Sequence, residues 1–140
     1  MKTKLSAVLV AVVLLAVTRS VCAHHSQSVY DDSKEVVLSG TATKFVFANP
    51  HVQIHFQVKD SSGNVVDWMA QGSSPNSVRK QGWTRATIKP GDQVVVSGHA
   101  ARNGRKEMHI VKLELNGRLI REVTPDGPRQ INIGEVSQGK

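Results

Sequence analysis

The chain has a single cysteine, Cys22, only 4% aromatic residues, and no second long apolar run after the one near its start. It also lacks a Gly-x-Ser-x-Gly elbow, an HExxH pair and a Gly-rich phosphate loop. Each absence removes a class of function. Without the elbow, and with Ser74 suited to a capping role, a serine hydrolase is not expected, and without the other two motifs neither is a zincin nor a P-loop enzyme. Stacking surfaces must be few, because Trp68 and Trp83 are the only tryptophans. Each would bury a large apolar area, and both are expected to plug the core.

What is present begins with an export signal. Lys2 and Lys4 precede an apolar run over residues 5–17, then Thr18-Arg19-Ser20, then Val21-Cys22-Ala23 with small residues suited to a peptidase. This is the pattern of a cleaved secretory signal peptide, residues 1–23. The run is shorter than the ~20 residues that cross a bilayer, so no stable membrane insertion is expected after cleavage. Val21 argues against Cys22 as a lipid-bearing cysteine. Periplasmic or secreted localisation in a bacterium follows.

Cleavage after Ala23 removes 23 of 140 residues and leaves 117, with no thiol. One domain of that size must be stabilised by an ordinary core. The cleaved segment takes three of the 18 basic residues, leaving 15 against 11 acids, a surplus of four without a Lys/Arg cluster. That surplus is too small and too dispersed to suggest a nucleic-acid surface, so no nucleic-acid partner is expected.

The clearest structural signal is the stretch after Asn49-Pro50, where Val52, Ile54, Phe56 and Val58 alternate with His51, Gln53, His55, Gln57 and Lys59. It predicts a half-buried strand with both histidines on the polar side. Before it, after a polar leader over residues 24–33, a first strand is expected over residues 35–48, with Gly40 at a bulge or bend. A third strand spans residues 65–71. Ser74 as N-cap, Pro75 at the first helical position and Gly82 at the end predict a short helix. A fourth strand follows over residues 93–101 and a fifth over residues 107–115, the latter with His109, Val111, Leu113 and Leu115 on one face. Asn116-Gly117 predicts a hairpin into a sixth strand, and residues 124–140 read as a mobile tail. Three strands, a helix and two or three more strands give an OB-fold-like, five- to six-stranded antiparallel Greek-key barrel over residues 34–123.

The pieces His24-His25-Ser26, Asn49-Pro50-His51, Gly72-Ser73-Ser74-Pro75-Asn76, Gly82-Trp83-Thr84-Arg85, Lys89-Pro90-Gly91-Asp92 and Gly98-His99-Ala100 occur in one order across residues 23–117. In this the chain resembles a family of small exported bacterial proteins known only as a domain of unknown function. The resemblance implies a small exported β-domain and no established activity. The tail after Val123 departs from the common pattern.

All six histidines lie after the signal segment, and His24 and His25 would open the mature protein. A free terminal amine has a far lower pKa than a lysine, so with the His24 imidazole it can chelate a metal. A further imidazole would complete a nitrogen site suited to Cu(II) or Zn(II), resembling the histidine brace of copper proteins. Along a regular strand His51 and His55 stand about 13 Å apart, too far to share an ion. His51 and His99, each near a strand end, are therefore the candidate third ligands. The metal set is His24, His25, His51 and His99, in a non-enzymatic exported binding domain. The alternative is a metal-independent module of the cell envelope that recognises a protein or glycan through the barrel face.

Overall fold

In the computed structural model, which describes residues 29–124 and 127–128, the alternating stretch after Asn49-Pro50 becomes the second strand. The chain order is β1 (Tyr30–Val46), β2 (Gln53–Lys59), β3 (Val65–Gln71), the short helix α1 (Pro75–Arg79), β4 (Gln93–Ala101), β5 (Glu107–Leu115), β6 (Arg118–Thr124) and the two-residue β7 (Gly127–Pro128). The expected signal segment, His24, His25 and nearly all of the expected tail lie outside the described residues.

Alternation dictates which side of β2 is buried. Val52, Ile54 and Phe56 are buried beside Ala70, Val96, Met108, Ile110 and Leu113, while Val58 packs at the margin. Burying a side chain of this size contributes about 1.5–3 kcal/mol, so this face is the largest single reason the strand sits where it does.

β1 pairs antiparallel with β2 through its second half and with β4 through its first. β2 pairs with β3 and β4 with β5, again antiparallel. A short parallel ladder, Met69–Glu107, Ala70–Met108 and Gln71–His109, joins β3 to β5 and closes the barrel. The circuit β1-β2-β3-β5-β4, with the helix between β3 and β4, is the OB-fold. β1 serves two partners because it bends. A Cβ on Gly40 would overlap the Gln57 carbonyl, and an extra residue, Thr43, bulges between Ala42 and Lys44.

The helix is set by its caps. Ser74 accepts the Ser77 amide, Pro75 occupies the first turn, and Gly82 follows with φ 84°. Trp83 then enters the core at 1% exposure.

Three local expectations are revised. β1 begins at Tyr30 and not at residue 35, because Tyr30 pairs with Ala101 and buries its ring. The strict alternation expected along β5 fails at a bulge on Val111. Met108, Ile110 and Leu113 face the core, and His109 stands on the opposite side from Ile110. Trp68, expected in the core, is only partly buried, with the Lys106 ammonium 5.4 Å from its ring centroid.

Candidate histidine site at the barrel seam

Strand pairing alone assembles a polar row. Gln71 on β3 is the partner of His109 on β5, His109 is the partner of His99 on β4, and His99 is the partner of Glu35 on β1. Paired residues share a face, with Cβ atoms roughly 5 Å apart, so two imidazoles stand side by side across the seam. His51 joins from the connection just before β2. The Gln71 Nε2 amide donates to its Nδ1 at 2.8 Å.

β1 arches away from β4 between Tyr30 and Glu35, and this arch roofs the row. Its Lys34 carbonyl accepts from His99 Nδ1 at 3.4 Å, and the Tyr30 ring lies 5.8 Å from that of His109. Asp31, in the same arch, pairs with Arg102 at 3.3 Å. Beneath the arch is a cavity of about 370 Å³ lined by Tyr30, Asp32, His51, Gln71, Ser73 and His109.

The electrostatics of the cavity disfavour a protonated His109. Burial first, then the Arg121 guanidinium and the His99 imidazole, pull its pKa below the ordinary 6.5, with Asp32 opposing them. It is a neutral donor or acceptor at physiological pH.

The histidines expected as ligands are divided by the fold. His51 lines the cavity, and His99 is the strand partner of His109, which lines it as well. His55 lies elsewhere, in a depression of about 610 Å³ with Trp68, Asp67, Lys44, Arg105 and Lys106. Among the described residues, no group of three or more His, Cys, Asp or Glu side chains could hold a metal. A metal centre would therefore need a donor from outside them.

The sequence pattern put His109 on one face with Val111 and Leu113 and singled out nothing at Arg121. His109 is partly buried, but it faces the cavity; the bulge at Val111 that turns it there has no sequence signature. Arg121 is 2% exposed, and its Nη2 donates to Ser73 Oγ at 2.8 Å.

The chain is thus a closed OB-type barrel with a polar cavity at the β3–β5 seam. The chain belongs to the family of unknown function DUF6152, whose model matches residues 11–109. That span contains all six sequence pieces on which the resemblance rests. No curated protein matches the chain in sequence. Among solved structures it is similar to the mitochondrial single-stranded DNA binding protein Rim1 of S. cerevisiae, with 12% identity and a TM-score of 0.44 over 59% of this chain and 93% of that one. Similarity to PriB of Ralstonia solanacearum is at 18% identity and a TM-score of 0.38, over 58% and 96% of the two chains. Yeast Stn1 and Ten1 give 13% identity and a TM-score of 0.39, over 58% and 42%. These likenesses concern the fold alone. The expectation of no nucleic-acid partner is corrected: it rested on dispersed charge, and with a single-stranded DNA binding protein among the similar structures that exclusion is withdrawn.

Proposed function

We propose that this chain is an exported, non-enzymatic OB-fold binding domain that takes Cu(II) or Zn(II) through His24 and His25 together with His99 and His51. The observation that carries this reading is the state of His99. Its Nδ1 donates to the Lys34 carbonyl, which leaves the Nε2 lone pair available to a metal, the usual arrangement for a ligating histidine. The chain also enters the barrel nearby, since the Arg102 amide at the end of β4 donates to the Val29 carbonyl at 2.9 Å. His25 is four residues before Val29, and four extended residues reach at most about 14 Å. With the signal peptide removed after Ala23, the amine and imidazole of His24 supply a chelate that the barrel completes.

His51 is the more demanding partner. Its Nδ1 accepts from Gln71, so ligation through Nε2 requires the Gln71 amide to turn and present its oxygen to an Nδ1–H. His99 needs no such change and is the stronger barrel ligand.

Calorimetric titration of the processed protein with Cu(II) and Zn(II), beside a His24→Ala/His25→Ala variant, tests the proposal. The expected result is a saturable site weakened by more than about tenfold in the variant. Equal binding by both proteins would leave only scattered surface imidazoles.

A second reading is favoured by one observation. The half-exposed Trp68 ring, with Lys106 over it, sits in the broad depression on the β2–β3 side, suited to stacking on a sugar ring or an apolar peptide side chain. On that reading the domain is a metal-independent interaction module of the cell envelope. A Trp68→Ala variant would then lose glycan or peptide retention while its metal titration stayed unchanged.

A further inference from the structure

Arg121 occupies an unusual position for a charged residue. On β6 it is paired with Leu113, a fully buried core residue, and an extra residue, Ile120, bulges beside it so that two consecutive side chains are buried. The reason lies in the edge of β5. Its first residues pair with β3 and its last with β6, and at the changeover β3 leaves through Gly72 and Ser73. Arg121 lies in this gap, against Ser73.

Among the described residues its charge is not answered there. Nη2 reaches Ser73 Oγ at 2.8 Å, but among the described residues neither Nε nor Nη1 finds an acceptor, although both are buried. A guanidinium remains protonated in proteins, so the site holds a fixed positive charge in a poorly solvated place. Burial of such a charge without a partner is costly, and the usual resolution is a carboxylate or other anion. Ser73 lies between this charge and the cavity under the β1 arch, which it lines with Ser74, Ser77, Gln71 and Tyr30. Hydroxyls and an amide are suitable donors to oxygen acceptors. Asp32 is the one carboxylate in the lining.

We infer that this cavity is an oxyanion-binding site, anchored by Arg121 through the wall that Ser73 forms, for the phosphate or carboxylate group of a small ligand. The inference does not depend on the metal reading, since it rests on Arg121 and not on the histidines. The two are compatible, because an anion seated here offsets the Arg121 charge that would otherwise repel a cation at His51.

The test is thermal unfolding of the processed protein in EDTA, with phosphate, sulfate and acetate titrated against chloride at matched ionic strength. Phosphate and sulfate acting without acetate would assign a phosphate-type group, and acetate acting alone a carboxylate. At about a hundredfold excess over its Kd the preferred anion should raise Tm by on the order of 10 °C. Arg121→Met keeps the apolar stem and should fold, with a Tm in chloride at or above that of the parent, and should lose the anion response. Ser73→Ala should keep the fold and shift half-saturation to higher anion concentration. The inference is overturned if the three oxyanions match chloride, or if Arg121→Met responds as the parent does. EDTA removes metal from the comparison, so failure here leaves the metal reading standing, and failure of the metal titration leaves this one standing.

Discussion

His99 and His109 stand opposite one another on β4 and β5, and the residue before His99, Gly98, is pressed against the His109 backbone so closely that a Cβ would overlap its carbonyl oxygen. Both atoms in that contact belong to backbone or to the Cβ itself, so neither can swing aside. Gly98→Ala should therefore force the two strands apart and destabilise the fold by about 2 kcal/mol, within the range for overpacked sites. Denaturant unfolding measures the change, and the metal titration of the same variant should weaken because His99 moves with the strand. A variant as stable as the parent would show that the seam yields.

The buried side of β2 predicts a larger loss. Phe56 is fully buried among Ile54, Ala70 and their neighbours, and Phe56→Ala should cost about 3–5 kcal/mol. A loss below 1 kcal/mol on the same scale would mean that this face is not the core.

His109 makes stability depend on pH. In the folded protein, burial first and the Arg121 guanidinium next hold its pKa below 6.5, the ordinary value that unfolding restores. Between those two values the unfolded chain binds a proton that the folded chain does not, so acid favours unfolding. The contribution is complete above pH 6.5 and declines as the pH falls from there through the lowered folded value. Unfolding profiles of the parent and of His109→Gln should converge in acid, the parent losing more stability below pH 6.5. Parallel profiles would place His109 in solvent.

Asp92 acts in a lower window. The Asn116 side-chain amide, at 3.0 Å, and then the Lys89 backbone amide, at 2.7 Å, hold its carboxyl below the ordinary 3.8. A depressed carboxyl contributes stability that is present above the unfolded pKa and is lost as the pH falls through the folded one. Asp92→Ala should cost about 1–2 kcal/mol at neutral pH, as expected for hydrogen bonds to a charged group, and little in strong acid. The loss should be shared by Asn116→Ala, since the two residues tie the β3–β4 connection to the β5–β6 hairpin.

Much of this fold was legible in the sequence because its signals are local. The alternation of Val52, Ile54 and Phe56, the caps Ser74, Pro75 and Gly82, and the Asn116-Gly117 reversal each act within a few residues. The turn residues adopt the left-handed conformation their chemistry favours, at φ 50° for Asn116 and 80° for Gly117. What stayed illegible depends on bulges. An extra residue at Thr43, Val111 or Ile120 inverts which side chains face inward, yet none of the three carries a bulge-specific residue type. The cavity-facing position of His109 and the burial of Arg121 were not visible for that reason. A charged residue in a terminal hairpin ordinarily lies in solvent, and only the sharing of the β5 edge by β3 and β6 brings this one inside. The pairing of Gln71, His109, His99 and Glu35 across four strands is likewise a product of register, which no segment encodes alone.

The most direct measurement of the proposed metal site is the electron paramagnetic resonance spectrum of the processed protein with equimolar Cu(II), recorded beside His99→Ala and a form carrying one added residue ahead of His24. The account predicts coordination by nitrogen from the terminal amine and imidazoles, altered by either change. A spectrum of aqueous Cu(II), or a nitrogen-ligated one indifferent to both changes, would contradict it.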